Sequence, residues 1–134
     1  MPIDIHDREA HGDTMDILRQ YGKGIRGVFH CYSGSLEMAE ELIKMGFYIG
    51  FTGTMVFPKS TKLKRIVSEL PMDRILIETD CPYLTPPPYR GKRNEPAYVQ
   101  YVAAEIARLR NMDVADVQRI TLENGKRIFG ITGE

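Results

Sequence analysis

Short apolar runs alternate with stretches whose apolar residues recur every three or four positions, and the alternation repeats through residues 3–80. An apolar run of four to six residues reads as a strand, and the longer periodic stretch after it as an amphipathic helix. The pattern therefore predicts successive βα units and a parallel sheet. The first unit is a strand at Ile3-Asp4-Ile5-His6 and a helix over 10–20, stopped by Gly22. The second is a strand over 25–30 and a helix over 35–45, with Ser35 as N-cap and Gly46 as C-terminal stop. The third strand is Phe47-Tyr48-Ile49-Gly50-Phe51, followed by Thr52-Gly53 and a helix over 61–70. In that helix Leu63, Ile66, Val67 and Leu70 stand at i, i+3, i+4 and i+7, one buried stripe. The fourth strand covers 75–80. Beyond it, residues 82–95 hold four of the chain's eight prolines with Arg90, Gly91, Lys92 and Arg93, a rigid exposed loop. Val99, Val102, Ala103, Ile106 and Leu109 then mark another amphipathic helix, and Asp113 caps a last helical segment running towards Phe129 and Gly130.

Composition changes this picture little. The chain has 134 residues, room for one domain and not for two. Hydrophobic residues at 43% and charged residues at 27% fit an ordinary globular protein. Lys+Arg and Asp+Glu both number 18, so no global positive field recruits a nucleic acid, although a local basic patch can still bind one. No apolar run reaches the length of a membrane span, and Met1 leads into Pro2-Ile3-Asp4 rather than a charged, then greasy leader; the expectation is a cytoplasmic protein without a membrane partner. Cys31 and Cys81 form no Cys-x-x-Cys pair and read as small half-buried thiols, not as a zinc or redox motif.

The strand ends carry the candidate chemistry. His6, His30, Gly53 and Asp80 are separated by 24, 23 and 27 residues, about one βα unit each time. Polar groups thus recur at the carboxyl end of the sheet, where parallel α/β folds build their sites. Two imidazoles and a carboxylate converging there suit a divalent ion that takes mixed nitrogen and oxygen ligands. Such an ion polarises a phosphoryl or acyl oxygen and acidifies water. Asp80 can hold the ion or accept the water's proton. Glu78, two residues earlier, shares Asp80's face of the strand. It either orients a ligand or pairs with a buried Arg or Lys. His11 lies inside a helix pattern without such register and reads as a surface or capping residue. Ser33-Gly34 resembles a phosphate-cradling turn before a helix. Arg8 either clamps a substrate phosphate or pairs with Asp7 or Glu9. Arg90, Lys92 and Arg93 are either a solvated loop or contacts to further phosphates of a polyanion.

Several strings also resemble one known family. Ile5-His6-Asp7-Arg8-Glu9-Ala10, His30-Cys31-Tyr32-Ser33-Gly34-Ser35, Tyr48-Ile49-Gly50-Phe51-Thr52-Gly53, Glu78-Thr79-Asp80-Cys81-Pro82-Tyr83-Leu84 and Arg90-Gly91-Lys92-Arg93-Asn94-Glu95-Pro96 look like successive signatures of the TatD-type metal-dependent deoxyribonucleases. The likeness runs in order through nearly the whole chain. It implies a (β/α)₈ barrel of the amidohydrolase kind, one or two divalent ions (Mg²⁺, Mn²⁺, Zn²⁺ or Co²⁺), and hydrolysis of phosphodiester bonds with DNA as substrate. On that pattern His6 and His30 bind one ion, while Asp80 binds the other and helps activate water.

Members of the family carry a His-x-His pair on the first barrel strand and a bridging Glu on a middle strand, and neither is present here. A full barrel takes about 250 residues. The resemblance therefore implies the C-terminal half of a TIM-type barrel: α/β, four parallel βα units plus C-terminal helices, one partial domain over residues 1–134. Its first and fourth strands would be open edges, which predicts self-association or pairing with a missing N-terminal half. The same site could serve a carbonyl ester or amide, and a catalytically silent half-barrel is the alternative from outside the enzymes.

Overall fold

The computed structural model describes residues 3–6, 11–21, 26–30, 32–52, 60–78 and 99–130, with backbone alone at 3–6, 11 and 21. Four strands, β1 (Ile3–His6), β2 (Gly27–His30), β3 (Phe47–Phe51) and β4 (Ile75–Ile77), form one sheet in sequence order. Every neighbouring pair is parallel, so the sheet matches the expected βα repetition. The described helices are α1 (His11–Tyr21), α2 (Leu36–Met45), α3 (Thr61–Glu69), α4 (Val99–Arg110) and α5 (Val114–Phe129), and a 3₁₀ turn, Met72–Arg74, leads into β4.

Local chemistry sets these boundaries. Ser35 caps α2, its Oγ accepting the Met38 N–H at 3.1 Å, and Gly46 ends the helix at φ 103°, a left-handed conformation that costs an L side chain strain. Gly130 ends α5 in the same way at φ 69°. Asp113 takes the N-cap position of α5, but its side chain makes no capping bond; its carbonyl accepts from Asp116 and Val117 instead. The second strand starts at Gly27 rather than at 25, and the fourth stops at Ile77 rather than 80. Glu78 still donates its N–H to Phe51 O at 2.8 Å, so the backbone ladder outlasts the strand by one residue.

Alternation along the strands separates two cores. Phe29, Phe47, Ile49, Phe51 and Ile75 meet Met15 and Leu18 of α1, Ala39 and Leu42 of α2, Ile66 and Val67 of α3 and Val102, Ala103 and Ile106 of α4. Phe29 is the centre of an aromatic chain, edge-on to Phe47 at 5.7 Å and to Tyr32 at 6.4 Å, and Tyr32 is edge-on to Phe51 at 6.5 Å. On the other face Val28, Tyr48 and Leu76 gather with Ile128 from α5. β3 is buried at all five positions, as expected of an inner strand covered on both faces. Arg74 stacks its guanidinium 5.0 Å from the centre of the Tyr48 ring.

Polar clips tie the helices to this frame. Asn124 of α5 donates Nδ2 to Met72 O at 2.8 Å and Ile75 O at 2.9 Å, fixing the turn into β4. Arg110 of α4 donates to Val67 O and Leu70 O at 2.7 and 2.6 Å, satisfying carbonyls at the end of α3, and its burial lowers its pKa from the ordinary value. Among the described residues no helix is long and apolar enough to cross a membrane.

Candidate active site at the carboxyl end of the sheet

Register brings the predicted strand ends level. His6 is the Cα partner of His30 across β1 and β2, so the backbone places two histidines side by side at the carboxyl end of the sheet. His30 follows Val28 by two residues and Glu78 follows Leu76 by two, which puts both on the Val28–Leu76 face, opposite the core that α1 to α4 cover. There His30 Nδ1 and Glu78 Oε2 are 2.8 Å apart, each side chain about one-fifth exposed. Glu78 thus has an imidazole among its partners.

The pairing crosses β3. Gly50 lies between the two strands, and a Cβ built on it would fall 2.6 Å from Glu78 Oε2. The loop after β2 is tightly folded beside the pair: Tyr32 N–H donates to Gly50 O at 2.9 Å, Tyr32 Oη donates to Ser35 O at 2.5 Å, and Gly34 is buried against that ring. Ser33 is exposed at the lip of this loop, and its carbonyl accepts from Lys62 Nζ at 3.3 Å. A cleft of about 500 Å³ opens beside β4, mainly apolar, between Val28, Leu76 and Glu78 on the sheet and Leu122, Gly125 and Phe129 on α5.

The structure thus brings His30 and Glu78 together and sets His6 in register with His30. The side chain of His6 and the residues Arg8, Asp80, Arg90, Lys92 and Arg93 lie outside the described residues, as do Cys31, Gly53, Cys81 and the proline loop. His11 opens α1. Among the described residues no group of three or more His, Cys, Asp or Glu side chains stands ready for a metal ion. The donor chemistry nevertheless fits one side of a metal centre: with Nδ1 engaged by a carboxylate, coordination by His30 falls to Nε2, the usual arrangement of a ligating imidazole and its carboxylate support. Gly50 was not singled out by the sequence reading. The signal was available, since glycine inside a strand marks a close approach of another group.

A parallel α/β sheet with an oriented imidazole at its carboxyl end is the kind of scaffold on which metal-dependent hydrolases are built. The comparisons with known proteins narrow this. The model of the TatD related DNase family matches residues 1–130, and the chain belongs to that family. It is 51% identical over 132 residues to the metal-dependent hydrolase YabD of Bacillus subtilis, covering 98% of this chain and 52% of YabD. It is 32% identical over 134 residues to the 3'-5' ssDNA/RNA exonuclease TatD of Edwardsiella piscicida, covering 96% of this chain and 52% of that protein. The crystal structure of the TatD homolog YJJV from Escherichia coli superposes with a TM-score of 0.89 at 28% identity, covering 98% of this chain and 51% of YJJV. The chain spans about half the length of the relatives it matches.

Proposed function

We propose that this chain is the C-terminal, four-stranded half of a (β/α)₈ barrel, one partial domain over residues 1–134, and that it carries part of a metal-dependent nuclease site. On this reading His6 and His30 hold a divalent ion, Glu78 orients His30, and Asp80 binds an ion and accepts the proton of the attacking water. The observation that supports it best is the His30–Glu78 pair at the carboxyl end of the sheet, with His6 in register one strand away. A divalent ion held there supplies Lewis acidity, drawing charge from a phosphoryl oxygen and lowering the pKa of water. The chain's own residues do the rest. Glu78 keeps Nε2 of His30 towards the ion, and the Asp80 carboxylate takes the water proton. Arg8, Ser33, Arg90, Lys92 and Arg93 contact phosphates of the DNA strand, which fixes its register without reading bases. The compartment is the cytoplasm.

β4, an edge strand among the described residues, and the exposed Leu122 and Phe129 on α5, 60% and 52% accessible, are on this reading covered by a further βα half, from a second copy or from a chain equivalent to the rest of the relatives. The test of function is hydrolysis of a labelled single-stranded oligonucleotide with Mn²⁺ or Mg²⁺, against an Asp80→Ala control and a p-nitrophenyl ester. Metal-dependent cleavage of the oligonucleotide that disappears in the control is the expected result. Equal cleavage by Asp80→Ala, or turnover of the ester alone, contradicts the nuclease reading. No turnover of either substrate makes the chain a silent half-barrel.

A further inference from the structure

β2 and β4 are two strand spacings apart, roughly 10 Å. A carboxylate rooted at β4 meets an imidazole rooted on β2 only by lying over the strand between them. The residue beneath that crossing is Gly50, paired in register with Leu76. A Cβ at Gly50 would stand 2.6 Å from Oε2, 2.7 Å from Cδ and 2.9 Å from Oε1 of Glu78, three contacts too short to exist. Backbone conformation does not explain the glycine: the described glycines at positive φ are Gly46 and Gly130, and Gly50 is ordinary strand. Glycine in a strand interior is destabilising relative to alanine. What the position uses is therefore the missing side chain.

We infer that Gly50 is a positioning residue: its empty side-chain position is the slot through which Glu78 crosses β3 to hold His30 by Nδ1. The inference rests on the metal-site reading for its functional meaning, while its geometry stands without it. Glu78 accepts the Nδ1–H, which selects the tautomer with its lone pair on Nε2 and fixes the rotation of the ring. Alanine at position 50 would fill the slot. The atoms it would strike are the far end of a flexible side chain, so the carboxylate moves aside and the strand stays. The lesion falls on the 2.8 Å contact with His30 and not on the fold.

The experiment follows the imidazole nitrogens of the ¹⁵N-histidine-labelled, metal-free chain on the alkaline side of their titration, with His30→Gln to assign the resonance. The wild-type chain shows His30 as the Nδ1–H tautomer, and both Gly50→Ala and Glu78→Ala show a mixture of tautomers. Calorimetric titration with Mn²⁺ gives each variant an affinity lower by about 10–100-fold. Because both changes break the same His30–Glu78 contact, Gly50→Ala/Glu78→Ala is no weaker than Glu78→Ala alone. A folded Gly50→Ala chain with the wild-type tautomer overturns the inference, as does a double variant whose losses multiply. If Gly50→Ala does not fold, a folded double variant supports the collision with Glu78, and an unfolded one refutes it. Tautomers that behave as stated in a chain that binds no Mn²⁺ would uphold the crossing and overturn the metal site.

Discussion

Glu105 on α4 offers a direct test of how the helix layer is held. Its side chain is 11% exposed and accepts from Arg108 Nε and Nη2 at 2.7 and 2.8 Å, with Lys64 of α3 bonded to the same carboxylate. The Arg108 hydrogen bonds hold its pKa from the ordinary 4.5 down to about 2, against the opposing effect of burial and with further help from Lys64. At about 1.4 kcal/mol per tenfold of proton affinity, that gap sets a ceiling of about 3 kcal/mol. Arg108 is 65% exposed, so water and salt screen its share and about 2 kcal/mol is expected at low ionic strength. The folded pKa lies below the unfolded one. The stabilisation is therefore complete above about pH 4.5 and lost as the pH falls towards about 2. Urea unfolding of the wild type and Glu105→Gln should differ by about 2 kcal/mol near pH 6, the difference closing below about pH 3 and shrinking in about 1 M salt. A difference that stays constant with pH, or widens on acidification, refutes the assignment.

Three further outcomes follow from the fold. Asn124→Ala should lower stability by about 2 kcal/mol, since Met72 O and Ile75 O lose their donor; Asn124→Asp should cost more near neutral pH because its charge faces both carbonyls, and equal urea midpoints would contradict this. Gly46→Ala should cost about 1 kcal/mol through backbone strain alone, because nothing lies within 4 Å of the added Cβ; an unchanged thermal midpoint would show that the cap relaxes freely. Light scattering at high concentration should find the chain associated through β1 and β4, the edge strands among the described residues, and a monodisperse monomer would contradict that.

What was legible in the sequence was what short-range physics decides. The order of strands and helices, the Ser35 cap and the glycine stop at 46 each rest on residues close in the chain, and the cap and the stop stand where the pattern put them. The equal spacing of the strand ends carried the register of His6 with His30, because parallel βα units of similar length bring their carboxyl ends level. Contacts made across the fold were less visible. Glu78 left two readings open in the sequence, and it is the placement of β2 two strands away that brings His30 to it. Asn124 and Arg110 read as ordinary polar helix residues until they meet carbonyls 40 or more positions earlier in the chain. The end of β4 was set too late: the strand stops with the apolar run Ile75-Leu76-Ile77, and nothing local in the sequence separates Glu78 from it.

On the proposed function, the carboxyl end of this sheet holds a divalent ion through His30 and its neighbours. Calorimetric titration of the metal-free 134-residue chain with Mn²⁺, repeated on His30→Ala and Asp80→Ala, tests it most directly. Saturable binding that weakens at least about tenfold in each variant is the expected result. No binding by the wild type, or the same affinity in all three chains, would contradict it.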